Sequence, residues 1–191
     1  DPESRIMKDK GNFNQCYNAQ AAVDVSTMLI VGQHLTDAPN DKQQLQPGLE
    51  AISPAVGKVT RALVDSGYYS DAAVTGVEAD GSGPTVYAAM QRQPHGRSIT
   101  QLEKHPDPPD PPEGAAIAEV MAHRLATAAG KALYGLRKQT VEPVFGIIKG
   151  VIGFRCFMLR GKEKASLEWT LVSTAYNLKR LFGLGARLQP A

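Results

Sequence analysis

The chain has 191 residues, 42% of them apolar and 21% charged, with a formal net charge of +2. This is the balance of a soluble globular protein long enough for one ordinary domain with its own core. No run approaches the roughly 18 to 20 apolar residues that span a bilayer, and the polar opening DPESRIMKDKGNF is no secretory leader. The expectation is a cytoplasmic location with no membrane partner. Cys16 and Cys156 stand far apart without metal-ligand spacing, so they read as two reduced thiols.

The small net charge hides an asymmetry. Residues 131–191 hold 11 of the 21 Lys/Arg but 3 of the 19 Asp/Glu, a net of +8 against −6 for the residues before them. Basic charge gathered in one segment is the footprint of a polyphosphate partner, although a solvated basic helix face has the same composition.

In chain order, residues 1–16 are polar with Gly11, Asn12 and Asn14 as turn formers, which predicts a loop entering a strand. YNAQAAVD and TMLIVGQHL predict a hairpin with its turn near Asp24–Ser26. DAPNDKQQLQPGLEAI predicts a helix capped by Asn40 or Asp41, with Leu45, Leu49 and Ile52 at helical spacing and Pro47 kinking or delaying it. RALVD predicts a buried strand with Asp65 at its carboxyl end, followed by a short helix capped by Ser70 or Asp71. TVYAAM predicts another buried strand. Residues 91–113 carry five prolines in HPDPPDPPEG, which predicts an extended surface insertion between strand and helix. Helices follow over Gly114–Ala129, from Lys131 to about Gly150, and from about Lys162 to Phe182. In the last, Leu167, Leu171, Ala175, Leu178 and Phe182 form a stripe expected to face the core, with Trp169 also in the core. Strands followed by helices around a mixed sheet give an α/β layered class.

Two acids carry the candidate chemistry. Asp65 ends a strand, where open α/β sheets place their ligands, although an aspartate before Ser-Gly is also ordinary turn chemistry. Glu142 lies in YGLRKQTVEPVFGIIK among Tyr134, Arg137, Lys138 and Lys149, which suits either a metal-binding acid flanked by phosphate-binding cations or a surface ion-pair cluster. Pro143 directly after it either kinks the helix or marks its first turn. Arg155, Arg160, Lys162 and Lys164 form a further basic patch that reads as DNA-backbone contact or as a solvated loop. His34, His95, His105 and His123 share no motif.

GNFNQCYNAQAAVD, LTDAPNDKQQLQPGLE, ALVDSGYYS, YGLRKQTVEPVFGIIKGVIGFRCFMLRG and STAYNLKRL together resemble the C-terminal half of bacterial insertion-sequence transposases of the DDE type, in the branch marked by a Tyr-Arg-Glu-Lys signature. The resemblance covers the chain except its proline-rich insertion. It implies an RNase H-like mixed sheet flanked by helices, with residues 1–191 forming the C-terminal part of the catalytic domain. By the resemblance Asp65 matches the second catalytic aspartate and Glu142 the third acid, both ligands of Mg²⁺ or Mn²⁺. Tyr134, Arg137, Lys138 and Lys149 match positions that contact DNA. Arg137 stands one residue farther from Glu142 than the signature expects, and Lys138 occupies the expected distance.

The family's first aspartate lies on the first sheet strand, upstream of the YNAQ segment. The expectation is therefore an incomplete and inactive fragment whose sheet lacks that strand, with Asp24 the nearest substitute. A sheet so exposed at one edge invites aggregation or pairing with another chain. The implied partners are double-stranded DNA at transposon ends and target, and a second copy in the active complex. The alternatives are a non-catalytic DNA-binding remnant and a metal-dependent nuclease on a related fold.

Overall fold

The computed structural model describes residues 1–9, 11–79, 81–91 and 106–186. The fold is mixed α/β and compatible with an RNase H-like fold lacking a strand. Among the described residues its strands pair as three two-stranded sheets, and the chain divides into two compact units. One comprises residues 1–41, 47–57 and 138–191, and the other residues 42–46 and 58–137.

In the first unit, β1 (Arg5–Asp9) and β2 (Asn12–Cys16) form an antiparallel hairpin where a loop was expected. Gly11, with φ of 93°, supplies the left-handed backbone that the tight connection needs. The hairpin buries little: Ile6 and Phe13 are exposed, so no alternating apolar face betrays its strands in the sequence.

β3 (Asn18–Val23) and β4 (Ile30–Thr36) are the expected hairpin, antiparallel with an irregularity between Ala22 and Val23. Its turn extends over residues 24–29, because Asp24 accepts bonds from the Thr27 amide and from the hydroxyls of Ser26 and Thr27. Those hydroxyl bonds, Ser26 first and then Thr27, hold the Asp24 carboxyl below the usual carboxylate range.

α1 spans Leu45–Glu50, so it starts too late for Asn40 or Asp41 to be its cap. Asp41 instead accepts from the side-chain amides of Asn18 at 2.7 Å and Gln20 at 2.8 Å. Pro47 falls in the first turn of this helix, where its missing N–H is tolerated. Ile52 lies beyond the helix and bridges to Gly32, where an added Cβ would stand 2.9 Å from the Ala51 and Ile52 backbone.

The second unit holds β5 (Arg61–Val64) and β6 (Thr85–Ala88), paired in parallel. Between them runs α2 (Asp71–Glu78), capped as expected by the Ser70 hydroxyl, which accepts from the Ala73 amide. Then come α3 (Ile117–Ala126) and the long α4 (Ala128–Gly150), which continues into the first unit. The break falls at Thr127 rather than near residue 130, because its hydroxyl accepts from the Gly130 amide and starts a new helix. Val74, Val86, Ala88 and Met121 make this unit's core.

Around them Arg124 grips Glu78 with two bonds of 2.6 and 2.9 Å and donates to the Val86 carbonyl, while Glu78 accepts from the Val86 amide. Burial pushes the Glu78 carboxyl up, but the bonds from Arg124 and Val86 and the arginine charge outweigh it, so its pKa is lowered. Residues 106–113 form neither helix nor strand. Positions 92–105 of the expected insertion lie outside the described residues.

α5 (Lys162–Gly183) has the expected bounds but the opposite orientation. Leu167, Leu171, Leu178 and Phe182 are 59, 70, 56 and 85% exposed, and Ala175 is exposed beside them. The face that packs carries Ala165, Trp169, Ser173 and Tyr176, and meets Ile30, Val144 and Ile148. It wins because its polar atoms find carbonyls in the β3–β4 hairpin. Trp169 Nε1 donates to Gln20 O at 3.0 Å, and the Tyr176 hydroxyl to Met28 O at 2.9 Å. Asn177 exchanges two bonds with the Ile30 backbone, and Arg180 donates to Thr27 O. Trp169 is core, as expected.

Candidate functional site

Asp65 follows the last residue of β5 directly, at the carboxyl end of a parallel strand pair. Its Oδ1 accepts from the Ser66 amide at 2.8 Å and caps the 3-10 turn Ser66–Tyr68, so the turn reading of this residue holds. The side chain is nevertheless 58% exposed, and Arg137 Nη2 stands 3.8 Å from Oδ1. An anionic group held just past the end of a strand, open to solvent and flanked by a guanidinium, can take a metal ion or meet a phosphate.

Tyr134 fixes the floor of this arrangement. Its hydroxyl donates to Val64 O at 3.0 Å and accepts from the Ala89 amide at 3.2 Å, tying the carboxyl ends of β5 and β6 to α4. One turn on, the Arg137 guanidinium lies 5.8 Å from the Tyr134 ring centre. The Tyr134 hydroxyl is thus engaged within the protein. Sequence reasoning missed this staple, since nothing local links Tyr134 to residues 45 and 70 positions earlier.

Lys138, Glu142 and Lys149 belong to the part of α4 in the first unit, and all three are exposed. Pro143 lies inside the helix and so does not mark its first turn. The Lys149 ammonium sits 6.0 Å from the Phe145 ring centre, and its carbonyl accepts from Arg155 Nε. Lys149, Arg155 and Arg160 border one hollow of about 650 Å³, with Tyr17, Phe154 and Phe157 among its walls. Cations and ring faces side by side suit a nucleic-acid backbone and its bases.

Of the remaining basic patch, Lys162 is engaged with Asp37 at 3.1 Å, a contact that holds the Asp37 carboxyl below its usual range, while Lys164 is exposed. Asp24 is spent on its turn. Among the described residues no three His, Cys, Asp or Glu side chains gather as a metal site. His95 and His105 lie outside those residues. Cys16 and Cys156 form no disulfide.

No curated protein and no solved structure matches the chain. Residues 111–182, which take in α3, α4 and most of α5, match the family model of the transposase DDE domain. Over that stretch the chain is similar to the DDE domain of transposases.

Proposed function

We propose that the chain serves DNA transposition as part of a DDE transposase, with Asp65 and Glu142 as acidic metal ligands. The observation that carries this reading is the match to the transposase DDE domain over the segment containing Glu142. The exposed Asp65 beside Arg137 at a strand end supports it further. Carboxylate oxygens are the hard donors that Mg²⁺ and Mn²⁺ take, and one or two of them with substrate phosphates are enough for Mg²⁺. When bound, the ion supplies positive charge to the scissile phosphate and activates the attacking oxygen.

The chain's own residues bind and orient the DNA. Arg137 offers its guanidinium to a phosphate next to Asp65, and Tyr134 keeps the strand end that carries Asp65 in place. Lys138, Lys149, Arg155 and Arg160 neutralise backbone phosphates, which makes binding fall with salt. The substrates in this reading are the transposon ends and the target duplex, and the finer Tyr-Arg-Glu-Lys assignment rests on Tyr134, Arg137, Glu142 and Lys149.

The test is Mn²⁺ retention by the chain in the presence of duplex DNA. Asp65→Asn and Glu142→Gln should each weaken Mn²⁺ binding about tenfold, the loss of one charged ligand, and leave DNA affinity and its salt slope unchanged. Unaltered Mn²⁺ binding in both variants overturns the assignment.

A further inference from the structure

The outer face of α5 is apolar and, among the described residues, unpartnered, and its pattern is a palindrome. Leu167, Leu171, Thr174, Ala175, Leu178 and Phe182 stand symmetrically about the point between Thr174 and Ala175, and all six are exposed. At about 100° per residue they share a stripe roughly 100° wide, on the side of the helix away from Trp169 and Tyr176. An interface between identical copies related by a two-fold axis must be self-complementary, and a palindromic stripe satisfies that along its whole length.

We propose that this face is the contact between two copies of the chain, their α5 helices packed antiparallel about a two-fold axis passing between Thr174 and Ala175. Leu167 then meets Phe182 of the second copy, and Leu171 meets Leu178. The small Thr174 and Ala175 let the two backbones approach at the axis. Charge agrees with this register. Glu168 and Lys179 flank the stripe on the same side, and antiparallel pairing brings each Glu168, whose carboxylate also accepts from the Met158 and Leu159 amides, to within about two residues, roughly 3 Å of helix rise, of Lys179 on the other copy. The stripe runs roughly 22 Å. Its four large side chains present roughly 500 Å² per copy, so their complete burial brings the pair to the region of 1,000 Å² where specific interfaces begin. The second copy expected in the active complex thereby acquires a defined surface. This contact stands independently of the metal-ligand assignment.

Self-association of the purified chain, without DNA or metal, tests it. Sedimentation across about 1 to 100 μM should show a monomer–dimer equilibrium, and Leu171→Glu or Leu178→Glu should each weaken it about 100-fold, as loss of a central anchor does. In a Cys16→Ala, Cys156→Ala background, Ala175→Cys should form a disulfide-linked dimer under mild oxidation. Lys164→Cys, on the same stripe but far from the axis, should not. Circular dichroism confirms that each variant keeps its helices. A chain that stays monomeric, a dimer indifferent to both glutamates, or linkage at Lys164→Cys as ready as at Ala175→Cys overturns the proposal.

Discussion

Glu78 closes α2 as its last residue, where the helix dipole disfavours an acid, yet it is the anchor of the second unit. Replacing it by glutamine keeps the shape and removes the charge. The amide then turns an N–H₂ toward a guanidinium that can only donate, so one of the two Arg124 bonds, at 2.6 and 2.9 Å, is lost and the arginine is left undercompensated. Exposed ion pairs contribute about 0 to 1 kcal/mol, and breaking a fully buried one costs about 3 to 5. Both side chains here are about one-fifth exposed, which places Glu78→Gln between those limits, near 2 to 3 kcal/mol.

With an m-value of about 2 kcal/mol/M in urea, the unfolding midpoint should fall by roughly 1 M. Hydrogen exchange at the Val86 amide should accelerate with it, since that N–H bonds to the same carboxylate. The acid dependence adds a second signature. Because the folded-state pKa of Glu78 lies below its ordinary value near 4.5, its contribution is fully present above that value. It is lost as pH falls through the folded pKa. The glutamine variant should lack this part of the acid sensitivity. A midpoint shift under about 0.2 M, or equal acid sensitivity in both proteins, would refute the reasoning.

Tyr134→Phe should cost about 2 kcal/mol in urea unfolding, because the Val64 carbonyl and Ala89 amide each lose a partner. Unchanged protection of the Ala89 amide would show that the staple is dispensable. The Ser173 hydroxyl is buried on the packed face of α5 without a hydrogen-bond partner among the described residues. Ser173→Ala should therefore be neutral or raise stability by about 1 kcal/mol, and a loss of similar size measured by thermal unfolding would refute this.

The residues that were legible in the sequence share one property, a pattern held within a few positions. RALVD announced β5 with an acid at its end, Ser70 announced the start of α2, and α5 begins and ends within a residue of expectation. The orientation of α5 was not legible, because two faces of that helix carry apolar residues at helical spacing. The leucines and Phe182 make the more apolar stripe, but the face with Trp169 and Tyr176 packs because carbonyls on β3 and its turn accept their protons. The β1–β2 hairpin is not legible because it buries no face, nor is the role of Asp41, whose partners, Asn18 and Gln20, lie more than twenty residues earlier. At the site, Asp65 and its turn could be read locally. Its guanidinium neighbour, 72 positions later, could not.

The amide of Asn177 takes both the N–H and the carbonyl of Ile30. A side chain there imitates the backbone of a neighbouring strand, so at Ile30 the hairpin offers nothing for an incoming strand to pair with. Strand addition to β4 is thus blocked at Ile30 by one residue of a helix. At that point a second chain meets a helix side chain before it meets a free strand edge.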